Sequence, residues 1–237
     1  MKINPSERPD PPPYQIPDEN RAAAIRRVLT EYLQVEPLEP QFARRFLAEE
    51  VRTFIELGSA HGPISQLLAP AGVECTAVDR DPPPGHFVPL MRADLRAVPL
   101  PAASVDAVSA VNCLYFLGAP RDGIREALRL LRPGGLFLAS SPSRCHDPEI
   151  KKYITEWGVP GPFDAEEAEG LVAEVFGEVE VEVEWWNLPA YVLKTHDQVR
   201  DYFTMFGYPD PEAAVADLGL PITITKSGIN VWARKAS

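Results

Sequence analysis

Thr53-Phe54-Ile55-Glu56-Leu57-Gly58-Ser59-Ala60-His61-Gly62 reads as a short buried strand that runs into a turn of small residues and then into a helix. A compact apolar run of this length suits a parallel sheet covered on both faces. Small residues in the turn let another molecule approach the backbone more closely than a Cβ permits. Two nucleotide-binding loops are excluded by spacing. A dinucleotide fingerprint requires glycines at 58, 60 and 63, where Ala60 and Pro63 stand, and a phosphate-binding loop requires a Gly-Lys-Ser/Thr that does not follow. A tight strand-to-helix turn with no ligand is the plain alternative.

Further runs of strand character follow at Cys75–Val78, Phe87–Met91, Val105–Val111 and Leu136–Ala139. Helical spacing separates them, marked by Ile64, Leu67 and Leu68 and by Ile124, Leu128 and Leu131. Parallel neighbours need crossovers, so the alternation predicts an α/β fold. An irregular stretch, 140–163, then precedes a helix over Asp164–Phe176. Glu178–Glu184 alternates valine with glutamate, which predicts a strand with one buried face and one charged face in water. Thr195 and Gln198 have capping-box spacing and predict a helix over His196–Phe206. Ile222–Thr225 and Ile229–Ala233 are expected as two closing strands. Before the sheet, prolines through residues 1–17 exclude a helix and leave an extended arm. Glu19–Val35 carries one apolar stripe at helical spacing, and Gln41–Glu49 forms a second, shorter helix.

Four segments in chain order resemble the motifs of class I S-adenosylmethionine-dependent methyltransferases. Glu56 and the Gly58…Gly62 spacing match the first, with Ala60 where many members have a middle glycine. Cys75-Thr76-Ala77-Val78-Asp79 ends a strand on an acid. Arg92-Ala93-Asp94-Leu95 precedes Ser104-Val105-Asp106-Ala107-Val108, and Leu130–Leu138 carries a Pro133-Gly134-Gly135 turn. The resemblance covers roughly Val51–Ser141. It implies a Rossmann-like, doubly wound, mostly parallel seven-stranded sheet with an antiparallel C-terminal strand and a small helical cap. It implies S-adenosylmethionine as cofactor and S-adenosylhomocysteine as product. Glu56 and the turn Gly58, Ser59, Ala60, His61 and Gly62 would hold the methionine part. Asp79, with Arg80 beside it, would take the ribose hydroxyls, Asp81 being the competing acid. Asp94 and Leu95 would meet the adenine, and Asn112 would close the site after the fourth strand. The domain division expected is 1–50 for arm and cap helices and 51–237 for the methyltransferase domain, with 187–221 a cap insertion.

Composition narrows the partner. With 34 acidic against 23 basic residues, the chain carries a formal charge of −11 and repels a phosphate backbone, so nucleic acid is disfavoured. Arg21, Arg26, Arg27, Arg44 and Arg45 are interleaved with helical apolar positions and read as a solvated helix face. Cys75, Cys113 and Cys145 form no CxxC pair, and the four histidines lie far apart with no helical HxxxH, so no metal site is expected. No apolar run or leader pattern implies a membrane, and a cytoplasmic monomer or homodimer is expected. The acceptor expected is a small molecule methylated on O, N or C. A tRNA, rRNA or protein acceptor, or a catalytically silent cofactor-binding module, remain alternatives. After strands four and five, Tyr115 and His146 are the catalytic candidates, His146 as general base because imidazole takes a proton near neutral pH. A surface-loop role is the plain alternative for His146. The aromatic residues between Trp157 and Tyr208 fit either an acceptor pocket or a cap core.

Overall fold

The computed structural model describes residues 18–82, 88–177 and 181–237. The expected proline arm, the start of the third strand at Phe87 and the first residues of the valine–glutamate run lie outside the described residues. Seven strands form one sheet in the order β3-β2-β1-β4-β5-β7-β6. They are β1 (Thr53–Leu57), β2 (Glu74–Asp79), β3 (Leu90–Arg92), β4 (Val105–Val111), β5 (Leu131–Pro142), β6 (Val181–Leu193) and β7 (Ile222–Arg234). β1 to β5 pair in parallel, while β7 runs antiparallel between β5 and β6. The helices are α1 (Glu19–Arg27), α2 (Glu39–Ala48), α3 (Pro63–Leu68), α4 (Pro120–Leu130), α5 (Ala165–Phe176), α6 (His196–Phe206) and α7 (Pro211–Asp217). The sheet is the doubly wound, Rossmann-like one expected. Strand order reverses at β1, and such a switch point opens a crevice beyond the carboxyl ends of the strands.

Alternation along β1 explains its apolar run. Ile55 and Leu57 join Val108, Phe137 and Val231 in a core shared with α4 and α5. Phe54 faces the other way, into a core with Phe42, Phe46, Ile64 and Trp232 under α2 and α3. Phe46 sits 5.0 Å from Phe54 and 5.2 Å from Trp232, ring centre to ring centre. The glutamate face of the alternating run was expected in water. Glu182 and Glu184 are exposed there, and both pair with Arg45 of α2, whose guanidinium lies 4.2 Å from the Trp232 ring centre. Val181 and Val183 pack on the opposite face, as their spacing requires.

The strands beyond β5 differ most from expectation. Lys226-Ser227-Gly228, expected as a break between two strands, lies inside a continuous β7. The Trp186 indole and the Ser141 carbonyl fill the space a Cβ at Gly228 would take, so glycine here marks close packing and not a turn. The last β5 residue pairs with Gly228, whereas β7 from Ile222 to Ser227 pairs with Asn187–Leu193 of β6 alone. These two strands therefore continue as a ribbon past the carboxyl end of β5. The supposed insertion at 187 begins as sheet. α6, α7 and the N-terminal helix pack on that ribbon around Val28, Tyr32, Tyr191, Val199, Phe203 and Ile224, a third core. The N-terminal helix is also revised: α1 gives way to a π-helical turn at Val28–Tyr32, and Leu33 bridges to Tyr191 of β6. Thr195 caps α6 by accepting from the Gln198 amide, and Gln198 reaches back to the Lys194 amide at 2.6 Å.

Candidate active site

A cavity of about 280 Å³ opens beyond the carboxyl ends of β1, β2 and β4. Its walls include Gly58, Ala60, Asp79, Arg80, Asp94, Leu95, Asn112 and Tyr115 from the sequence candidates, together with Asp81, Cys113, Phe116 and Leu117. Three motifs far apart in sequence meet there because β1 is flanked by β2 and β4.

Asp79 organises the polar side. One carboxylate oxygen accepts the Ala60 amide at 3.0 Å and the other accepts the Asp81 amide at 2.9 Å. An ionised carboxylate offers about four acceptor sites, so each oxygen keeps one for another donor. Asp81 pairs instead with Arg80 at 2.9 Å, on the rim. Asp94 is gripped by Arg96, whose guanidinium reaches both carboxylate oxygens at 2.9 and 2.7 Å. That guanidinium holds the Asp94 carboxyl below its ordinary range, so it stays an acceptor. Arg96 was missed by motif reading; its position two residues after Asp94 was the available signal.

Gly58 carries φ +61°, and a Cβ there would overlap the Cβ of Cys113 and lie 2.8 Å from its Sγ. Its glycine requirement therefore comes from the protein itself, where Cys113 donates its thiol hydrogen to the Leu57 carbonyl at 3.3 Å. Asn112, before it, is also left-handed at φ +53°, a conformation asparagine tolerates better than most residues. Tyr115 packs against Phe116 at 4.6 Å between ring centres. Burial pushes its phenol well above the ordinary value, and the residue lines the cavity.

Other candidates lie elsewhere. Glu56 is buried behind the turn, accepting the Ile64 and Ser65 amides at 3.1 and 2.8 Å. It secures the first turn of α3 and does not line the cavity. Burial raises its pKa. Ser59 is buried, donating its amide to Val78; Gly62 begins α3 in the left-handed region; His61 is exposed on the turn. His146, expected as general base, is held within the segment after β5. Nδ1 lies 2.7 Å from the Ser143 carbonyl and Nε2 lies 3.0 Å from the Tyr208 hydroxyl. Both ring nitrogens thus face partners within the protein, and His146 is not among the residues that line the cavity. Burial, and then Lys226, lower its pKa.

The residues present fit an S-adenosyl nucleoside. Asp79 retains acceptor capacity for hydroxyl donors, Asp94 is a fixed acceptor for an amine, and Leu95, Phe116 and Leu117 offer apolar wall to a base. No group of three His, Cys, Asp or Glu able to hold a metal occurs among the described residues. No described helix is long and apolar enough to cross a membrane.

Residues 55–139 match a family model described as a methyltransferase domain. The malonyl-[acyl-carrier protein] O-methyltransferase of Enterobacter lignolyticus is 28% identical in an alignment 145 positions long that covers 55% of this chain and 57% of that protein. The chain thus aligns with little more than half the length of that curated relative. Among solved structures, the [4+2]-cyclase SpnF superposes with a TM-score of 0.61 at 14% identity, covering 92% of this chain and 93% of its own. Phosphoethanolamine N-methyltransferase 2 of Haemonchus contortus, in complex with S-adenosyl-L-methionine, superposes at 0.53 and 14% identity, covering 83% and 53%. At these identities the structural likeness bears on the fold.

Proposed function

We propose that this class I S-adenosylmethionine-dependent methyltransferase transfers the cofactor's methyl group to oxygen, nitrogen or carbon of a small-molecule acceptor. The reading against a nucleic-acid acceptor is carried by one observation: three of the five arginines that could have formed a basic stripe are already paired with acids. Arg27 pairs with Asp201, Arg44 with Glu36, and Arg45 with Glu182 and Glu184. Phosphate contacts would have to break those pairs against a net charge of −11. A carrier-linked acyl group is the second reading, favoured by the malonyl-[acyl-carrier protein] relative.

When bound, the cofactor supplies an electrophilic methyl on a sulfonium. The chain's own contribution is orientation and exclusion of water, for which a base is not obligatory. Asp79 would hold the ribose and Asp94 the adenine. The ribbon of β6 and β7 with α1, α6 and α7 would cover the acceptor beyond β5. Incubation with methyl-labelled cofactor and, separately, a metabolite extract, RNA and protein tests the reading. Label in a small molecule supports it. Label only in RNA or protein overturns it, and label nowhere favours a silent cofactor-binding module.

Two expected results follow from these assignments. Asp94→Ala should weaken S-adenosylhomocysteine binding about tenfold, near 1.4 kcal/mol, and narrow the preference over its inosine counterpart. Calorimetry with both nucleosides checks this; an unaltered preference would move the adenine contact elsewhere. A chain beginning at Pro37, which lacks α1 and the π-helical turn, should retain cofactor affinity within about threefold. Its labelled-methyl transfer to the acceptor should fall at least tenfold, since half the cap is gone. Transfer at the full-length rate would remove these elements from the cap.

A further inference from the structure

We propose that Asp147, paired with Lys226, is a positioning residue that sets the cap in one orientation against the end of β5. This rests on the cap reading above. Asp147 follows β5 by five residues and is completely buried, in a left-handed backbone with φ +58°. Its amide donates to the Thr225 carbonyl of β7 at 3.0 Å. One carboxylate oxygen, Oδ2, accepts both the Lys226 ammonium and the Tyr208 hydroxyl, each at 2.7 Å. A single oxygen therefore ties together the segment after β5, the link between α6 and α7, and the β7 half of the ribbon.

Lys226 extends the tie to α6. Its ammonium lies 3.6 Å from the Phe206 ring centre and 5.3 Å from that of Tyr202. His146, through Tyr208, joins the same group. Other titratable groups around the pair are Tyr191 of β6, Tyr202 of α6, and Glu149, which binds Thr225. The remaining core of the cap, Val28, Val199, Phe203 and Ile224 among others, is apolar and non-directional.

Stability alone does not explain a charge pair at this position. Desolvating two ions costs several kcal/mol, and apolar side chains of similar volume commonly replace such a pair without loss. Burial pushes the Lys226 ammonium down to about 8, a sign of that cost. Asp147 Oδ1 and the Tyr202 hydroxyl are also buried beside the pair. What the pair adds is direction. It accepts one geometry of loop, link and ribbon, whereas the apolar contacts would tolerate neighbouring ones.

The test uses the full chain carrying Asp147→Asn, Lys226→Met, or both. Hydrogen–deuterium exchange is read over 196–217 and over β1, β4 and β5, and calorimetry measures S-adenosylhomocysteine affinity as a control for an intact cofactor cleft. Each single variant leaves a buried group without its partner and should speed exchange over 196–217 at least tenfold, while the strands and cofactor affinity stay within threefold. The double variant relieves the unpaired charge but restores no direction, so 196–217 should still exchange at least threefold faster than in the parent. Smaller acceleration in the single variants, equal acceleration in the strands, or a double variant that exchanges at the parent's rate would each overturn the proposal. Exchange needs no acceptor, so a failed search for a small-molecule substrate leaves this result readable.

Discussion

Asp79→Ala is expected to weaken S-adenosylhomocysteine binding about a hundredfold in calorimetry, near 3 kcal/mol. Each hydrogen bond from a neutral hydroxyl to an ionised carboxylate contributes about 1.5–3 kcal/mol, and Asp79 has acceptor capacity for both ribose hydroxyls. A second loss compounds the first. The same carboxylate holds the Ala60 amide of the β1 turn and the Asp81 amide of its own strand end. Asp79→Asn separates the two effects, because its carbonyl can still accept one of those amides while the charge is gone. A loss of about tenfold is expected there. Affinity unchanged in both variants, with the fold retained, would move the ribose contact away from Asp79, and Asp81→Ala would then be the variant to weaken binding.

Gly58→Ala is expected to destabilise the protein by about 2–5 kcal/mol in denaturant unfolding, and to remove cofactor binding with it. A left-handed alanine costs about 1–2 kcal/mol, and overlap in a packed interior adds about 1–3. The overlap is with the Cys113 side chain, which lines the same cavity. From sequence, Gly58→Val is expected to block the ligand while sparing the fold; the structure revises this, since β1 and the segment after β4 cannot both keep their places. Adding Cys113→Gly to Gly58→Ala should recover the overlap part but not the conformational part. Stability equal to the parent in Gly58→Ala alone would refute the packing between these two residues.

The sheet was largely legible because its signals are local. β1 and β4 occupy Thr53–Leu57 and Val105–Val111 as their apolar runs indicate, and α6 starts after its Thr195 cap. Asp79 and Asp94 are named through the resemblance to methyltransferase motifs, and both line the cavity. Glu56 and His146 show the limit of that reasoning. An acid before a glycine turn and a histidine after a strand are both chemically suited to a site, but sequence does not reveal which partners their atoms meet first. Glu56 meets two amides of α3, and His146 meets Ser143 and Tyr208.

The amino-acid order by itself determined the α/β class, the strand-turn-helix at Gly58 and the acids at the strand ends, because each depends on neighbours within a few residues. Tertiary structure alone decided which residues 55 to 137 positions apart in the chain meet. It set Cys113 against Gly58, Arg45 against Glu182, and Lys226 against Asp147. It also turned an expected loop at Ser227 and Gly228 into strand, because the Trp186 ring needed the space where a side chain would be. Such pairings follow from strand order and register, and no local pattern of hydrophobicity or turn chemistry encodes them.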